Sequence, residues 1–271
     1  MLKTAEAYGI QFLVPPGDSG VGASILDYGE FAKVETDFIL DIVGNGIFVD
    51  VGANIGAIAL PVSRRASMVL AIEANRGFAN LLAANALNNR MYNVSVLHAA
   101  IGDKECISRF PVMPLFESGN LGTSGFGLPE AYAREPVMML TLDRITPPRT
   151  SVIKVDVEGY ELNVIKGSRE ILRKLRPYWI IESSTDTPNN ASVLATMNSL
   201  GYSTYWFYTP FVTPTPLRGS QPEKLRGDIS IFAAPSEKRQ PDWEMNAAIP
   251  GERRPRTIAD FPYLSRYGYT I

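Results

Sequence analysis

The chain has 271 residues, and 26 Lys plus Arg against 28 Asp plus Glu leave a net charge of -2, a balance that asks for neither nucleic acid nor an anionic membrane. With 45% hydrophobic and 20% charged residues it can bury a full core, which excludes wholesale disorder. A lone Cys106 and a lone His98 exclude an internal disulfide and Cys- or His-rich metal centres, so proton transfer falls to carboxylates, lysine or tyrosine.

Near the N-terminus, Lys3 is followed by Glu6 and by an apolar stretch, Ile10 to Pro15, too short for a signal-peptide core. No segment approaches the roughly 18 apolar residues of a membrane span, so a soluble, cytoplasmic protein is expected. Residues 1–27 read as a lead-in. Five nearly continuous apolar runs then follow, each ending at or beside a polar residue: Ile47 to Val51, Met68 to Glu73, Val94 to His98, Val152 to Asp156 and Tyr178 to Glu182. Strands buried on both faces of a parallel sheet read this way. Between them lie helical stretches, Arg76 to Asn88 with Phe78, Leu81, Leu82 and Asn85 at three-to-four spacing, and Leu162 to Leu175. The alternation predicts an α/β fold with a doubly wound sheet. Tyr202 to Tyr208 and Asp228 to Ala233 predict two further strands, closing one edge of that sheet antiparallel.

The most informative stretch is Phe48-Val-Asp50-Val-Gly52-Ala53-Asn54-Ile-Gly56, set between a strand and a helix. Gly52 permits backbone to pass close to a ligand, and Gly56 lets the next helix sit against the sheet. Glu73, 21 residues beyond Gly52, closes the following strand and can accept both hydroxyls of a ribose. A dinucleotide site carries G-x-G-x-x-G to admit a pyrophosphate. Here Asn54 occupies the middle-glycine position and Asp50 is awkward beside phosphates, which favours S-adenosylmethionine over NAD.

These residues, with Ala99-Ala100-Ile101-Gly102-Asp103, Leu142-Asp143 and Lys154-Val-Asp156-Val-Glu158-Gly159-x-Glu161, resemble the FkbM family of S-adenosylmethionine-dependent methyltransferases from about Tyr28 to Glu182. Ala74 departs from the family, whose members often carry proline after the acid. The resemblance implies the class I, Rossmann-like methyltransferase fold, a seven-stranded sheet ordered 3-2-1-4-5-7-6 with its seventh strand antiparallel. It implies that Asp50, Gly52, Ala53 and Asn54 surround the methionine end of the cofactor. Glu73 would hold the ribose, Asn75 and Phe78 would lie nearby, and Ala100 with Ile101 would flank the adenine. Residues 1–234 would then form the methyltransferase domain and 235–271 a Pro- and aromatic-rich tail.

For methyl transfer to an alcohol the protein must align the nucleophile and remove a proton. Asp156 ends the fourth strand and Glu158 follows in the loop; Glu158 is expected as base and Asp156 as orienter, with the reverse assignment open. Lys154 lies on the same face as Asp156 and needs a partner if buried, with Asp50 and Glu182 as candidates, and is expected either as a structural ion pair or as a catalytic residue that tunes the carboxylates. Glu161 is expected to complement a helix terminus and Asp143 to turn a loop, while His98 reads as packed or cofactor-adjacent. Magnesium held by Asp156, Glu158 and Glu182 is the metal-assisted alternative to a metal-free site. The Gly/Ser segment Glu117 to Gly127 could overlie the site. The family resemblance implies a small-molecule or glycan acceptor, O-methylated on a hydroxyl or N-methylated on an amide. A non-catalytic binding module of the same fold is the alternative from another class. Trp243, Phe261, Tyr263, Tyr267 and Tyr269 in the tail call for burial, either across the chain's own domain or in a homodimer.

Overall fold

The computed structural model describes residues 1–183, 188–219, 221–222 and 226–270. The chain opens with a hairpin of β1 (Lys3–Ala7) and β2 (Ile10–Val14). Its two-residue turn, Tyr8 and Gly9, has φ of 55° and 66°, the left-handed pair that matches the twist of such hairpins. Helices α1 (Val21–Tyr28) and α2 (Lys33–Val43) lead into β3 (Ile47–Val51). Then come α3 (Ala59–Ser63), β4 (Met68–Glu73), α4 (Arg76–Asn88) and β5 (Val94–His98). A small sheet of β6 (Ala100–Ile101), β7 (Cys106–Pro111) and β8 (Arg134–Leu140) interrupts the alternation. It resumes with α5 (Leu142–Ile145), β9 (Thr150–Val155), α6 (Glu161–Lys166), β10 (Tyr178–Glu182), α7 (Pro188–Ser199), β11 (Tyr202–Pro210) and β12 (Gly227–Pro235).

Seven of these strands form one sheet in the order β11-β12-β10-β9-β3-β4-β5. β5, β4, β3, β9 and β10 are mutually parallel, and β12 runs antiparallel to both β10 and β11. This is the seven-stranded sheet expected, with the antiparallel strand one place in from the β11 edge. Val152, Ile153 and Val155 of β9 are fully buried on both faces, which is why the strand reads as a continuous apolar run. The helix expected over Leu162 to Leu175 is broken. α6 ends at Gly167, and a separate π-type turn spans Ile171–Leu175. A Cβ at Gly167 would stand 2.0 Å from the Gly102 carbonyl oxygen, so close backbone packing against the loop after β6 is bought at the cost of helix continuity.

The lead-in is tied to the sheet layer by two amides. On α4, Asn85 accepts from the Leu13 amide at 2.7 Å and donates to the carbonyls of Leu13 and Ile55, while Asn89 bonds both the amide and the carbonyl of Gln11. Two side chains thus satisfy a strand edge that has no strand beside it. At the opposite side the segment after β12 covers β11: the Trp206 amide donates to Asn246, and the Ala248 amide to Thr204. Trp243, Phe261 and Tyr263 continue an aromatic cluster with Phe38 and Phe207, at ring separations of 4.6 to 6.1 Å. The Tyr263 hydroxyl both donates to the Tyr208 carbonyl and accepts from the Tyr208 amide. Replacing Tyr263 with Ala should therefore lower stability by about 3–5 kcal/mol in urea unfolding, the range for deleting a buried aromatic.

Candidate active site

A cavity of about 280 Å³ opens at the C-terminal ends of β3, β4 and β9, the place where ligands sit in open parallel sheets. After β3 the chain turns at Gly52, whose φ is 86° and whose amide donates to the Ile72 carbonyl. A Cβ at Gly52 would stand 1.8 Å from the Asp156 carbonyl oxygen, so no other residue fits where the two loops cross. Asn54, also left-handed at φ 51°, fastens the next turn by accepting from the Ile55 amide.

Glu73 is buried, and its two carboxylate oxygens accept from the amides of Asn54 and Asn75 at 2.8 and 2.7 Å. Burial nevertheless lifts its pKa to about 7 against the lowering by those bonds. Ala53, Phe78, Ala100 and Ile101 line the same cavity. Asn75 is fully buried and outside the lining: its oxygen caps α4 by accepting from Gly77 and Phe78.

The charged centre is Lys154, 5% exposed in the middle of the sheet. Desolvation opposes its charge, but the neighbouring acids, Asp156 foremost, outweigh that and hold the ammonium ionised. Its Nζ donates to Asp156 Oδ2 at 2.9 Å and lies 4.0 Å from Asp50 Oδ1. The expected pairing with Glu182 is not made; Glu182 bonds Asp156 instead. β10 places Ile180 opposite Lys154, so Glu182 reaches past it to the strand end, where Asp156 stands. Burial and the Asp156 charge push the Glu182 pKa far up, so it carries the proton it shares with Asp156. Asp156, although desolvated, is held below the usual carboxylate range by Lys154 and by that bond.

Glu158 lies at the cavity mouth in a left-handed conformation, φ 52°. Desolvation by the surrounding protein, then the charges of Asp156, Asp228 and Glu161, raise its pKa to about 7. Glu161 accepts from the amides of Val157 and Gly159 and thereby shapes the loop. Across the opening runs the Gly/Ser segment. Asn120, Gly122, Thr123, Ser124 and Phe126 line the cavity, and a Cβ at Gly125 would meet Glu158 Cβ at 2.8 Å. Asp18 of the lead-in anchors that segment through the Leu121 amide at 3.2 Å.

Other expected residues fall elsewhere. Asp143 accepts from the amides of Glu170 and Ile171, a purely structural use. His98 is exposed at the end of β5, with Nε2 against the Ala74 carbonyl and outside the cavity. The last residue of an edge strand has one open side, which is why it is not packed. Among the described residues no group of three or more His, Cys, Asp or Glu is arranged to hold a metal ion. Four lining groups escaped the sequence reading: Phe31 and Glu35 before and on α2, and Phe211 and Asp228 around the β11–β12 connection. Glu35 reads in sequence as an ordinary first-turn acid; only its burial sets it apart.

The model of the FkbM methyltransferase domain matches residues 50–204, more than half of the chain. The chain belongs to the FkbM methyltransferase family. It is an S-adenosylmethionine-dependent methyltransferase. Among solved structures it is similar to an FkbM methyltransferase from Methylobacillus flagellatus, at 18% identity and a TM-score of 0.44 over 70% of this chain and 43% of that one. It is also similar to a precorrin-6y C5,15-methyltransferase from Geobacter metallireducens, at 13% identity and a TM-score of 0.47, covering 74% and 85% of the two chains. A SAM-dependent O-methyltransferase from Thermotoga maritima aligns at 18% identity and a TM-score of 0.43 over 77% and 67%. No curated protein matches the sequence. Because a Cβ at position 52 collides with backbone and the residue is left-handed, Gly52→Ala in this FkbM protein should weaken S-adenosylhomocysteine binding at least about tenfold by calorimetry.

Proposed function

We propose that the protein methylates a hydroxyl of a sugar or natural-product acceptor, with Glu158 as general base. The observation that carries this reading is the position of Glu158, exposed at the cavity mouth two residues from an Asp156 that Lys154 holds ionised, with its pKa raised to about 7. A base poised at the working pH combines a useful ionised fraction with enough basicity to receive the proton.

The cavity residues fit the cofactor. Asp50 is 1% exposed and its Oδ1 has no hydrogen-bond partner among the described residues, leaving an acceptor for an ammonium donor. Glu73 keeps a free lone pair on each oxygen beyond its two amide bonds, which suits a pair of ribose hydroxyls. We assign the methionine end to Asp50, Gly52, Ala53 and Asn54, the ribose to Glu73, and the adenine side to Phe78, Ala100 and Ile101. Bound S-adenosylmethionine supplies a methyl group already activated on a sulfonium.

The chain's own tasks are then alignment and proton removal. Lys154 fixes the Asp156 carboxylate at the end of β9, and Asp156 orients the acceptor hydroxyl. Glu158 takes the hydroxyl proton. The segment from Asn120 to Phe126 covers the site and limits water, held from outside by Asp18.

Glu158→Gln should lower turnover by about 100-fold or more while S-adenosylhomocysteine affinity stays within a few-fold. In the parent protein the rate should fall as pH drops through about 7, because the base is protonated there. That limb should vanish in the variant. EDTA should leave turnover unchanged; loss with EDTA and recovery with magnesium would replace the base mechanism by a metal-assisted one.

A further inference from the structure

Part of the cavity lining comes from residues outside the family match at residues 50–204, among them Phe31, Glu35, Phe211 and Asp228. Phe31 and Phe211 stack there at 5.6 Å and 19°. Both are fixed through their backbones: the Tyr8 hydroxyl bonds the amide and the carbonyl of Phe31, and the Ala32 amide donates to the Phe211 carbonyl. The same cavity is lined by Glu35, 5% exposed, to whose carboxylate no described residue donates a hydrogen bond. Lys154 acts on it by charge alone, and a carboxyl this buried with no hydrogen-bond donor is costly to ionise unless a ligand supplies one.

Charge in the cavity is one-sided. Its described lining holds seven carboxyl groups, Glu35, Asp50, Glu73, Asp156, Glu158, Glu182 and Asp228, and one cation, Lys154. Lys154 is engaged with Asp156 and Asp50, and among the described residues no second side-chain cation lines the cavity to pair with an acidic acceptor. The cofactor adds one net positive charge and leaves the excess negative. Asp228, with Arg254 acting on it, stands on the β12 side of the same chamber.

We infer that this part of the cavity recognises an acceptor bearing a protonated amine, with Glu35 as the carboxylate that receives the ammonium and the Phe31–Phe211 pair as an aromatic wall of the same cavity. The inference rests on the methyltransferase reading above and names the class of its acceptor: a polyol that carries a free amino group, such as an amino sugar. Aromatic faces and carboxylates attract cations by the same sign of field. Burial raises the Glu35 pKa to about 8, so at neutral pH the empty site holds that carboxyl mostly protonated. An arriving ammonium would draw it to the ionised form and release a proton.

The test titrates glucosamine, N-acetylglucosamine and glucose into the full chain loaded with S-adenosylhomocysteine at pH 7, by calorimetry in two buffers of different ionisation enthalpy. Glucosamine should bind at least about tenfold more tightly than either neutral sugar and release a proton on binding. In the isosteric Glu35→Gln the preference should shrink to within about threefold and the proton release disappear, with S-adenosylhomocysteine affinity retained. Glu35→Asp, which keeps the charge, should retain part of the preference. Equal affinity for the three sugars, tighter binding of a neutral one, or no binding of glucosamine overturns the inference. Loss of S-adenosylhomocysteine affinity in Glu35→Gln with the fold intact would assign the carboxyl to the cofactor and overturn it as well. Failure of the parent protein to bind S-adenosylhomocysteine would overturn the methyltransferase reading, and the inference with it.

Discussion

The site depends on one buried ammonium. Lys154 sits in β9, the central strand of the sheet, where an isolated charge would be too costly to keep. The carboxylates at the ends of the flanking loops therefore have to converge on it. Asp156 comes within 2.9 Å from the same strand, and Asp50 within 4.0 Å from β3. That convergence places the loops after β3 and β9 in contact, so close at Gly52 that only a hydrogen fits beneath the Asp156 carbonyl. It also sorts the acids. Asp156, nearest the lysine, stays ionised, whereas Glu182 and Glu158 feel mainly desolvation and the Asp156 charge and hold their protons more tightly.

A sheet that presents its strand ends to ligand leaves the cavity open above and at one side, and segments from both ends of the chain close it. The lead-in is held on α4 by Asn85 and Asn89, and through Asp18 it carries the loop that crosses Glu158. At the far edge, the segment after β12 pairs with β11 and buries Phe261, Tyr263 and Leu264 in the main core. This fixes β11 and β12, and with them Thr209, Phe211 and Asp228, which line the cavity.

The main sheet was legible because β3, β4, β9 and β10 are buried on both faces and so spell uninterrupted apolar runs. The turn after β3 was legible because Gly52 and Glu73 each answer a local demand, backbone approach in one case and a strand-end acid in the other. What escaped has a common cause. Asn75 is a polar residue after an acid in either use, and whether its amide faces ligand or caps a helix depends on where α4 begins. Glu35 follows Lys33 and precedes Asp37 on a helix whose exposed face is charged; its burial comes from β9 and β11 packing against α2, pairings separated from it by more than a hundred residues. Glu182 does not pair with Lys154 because the β9–β10 register sets it two residues past Ile180, the residue opposite Lys154.

The assignment of the base follows from this arrangement of environments. Asp156 is the better placed of the two acids by strand position, but a carboxylate held ionised by an adjacent ammonium is a weak proton acceptor. Glu182 has the opposite defect, since a carboxyl that keeps its proton well above neutral pH has no vacant site for another. Glu158 lies between these extremes because desolvation and the charges of Asp156 and Asp228 raise it while Lys154 lowers it least. The loop that carries it turns on a left-handed Glu158 and Gly159 and is stitched by Glu161 accepting from Val157 and Gly159. Glu161 thus acts on the chemistry without reaching the cavity: it holds the residue two before it and the residue four before it in place, and so fixes the field in which Glu158 titrates.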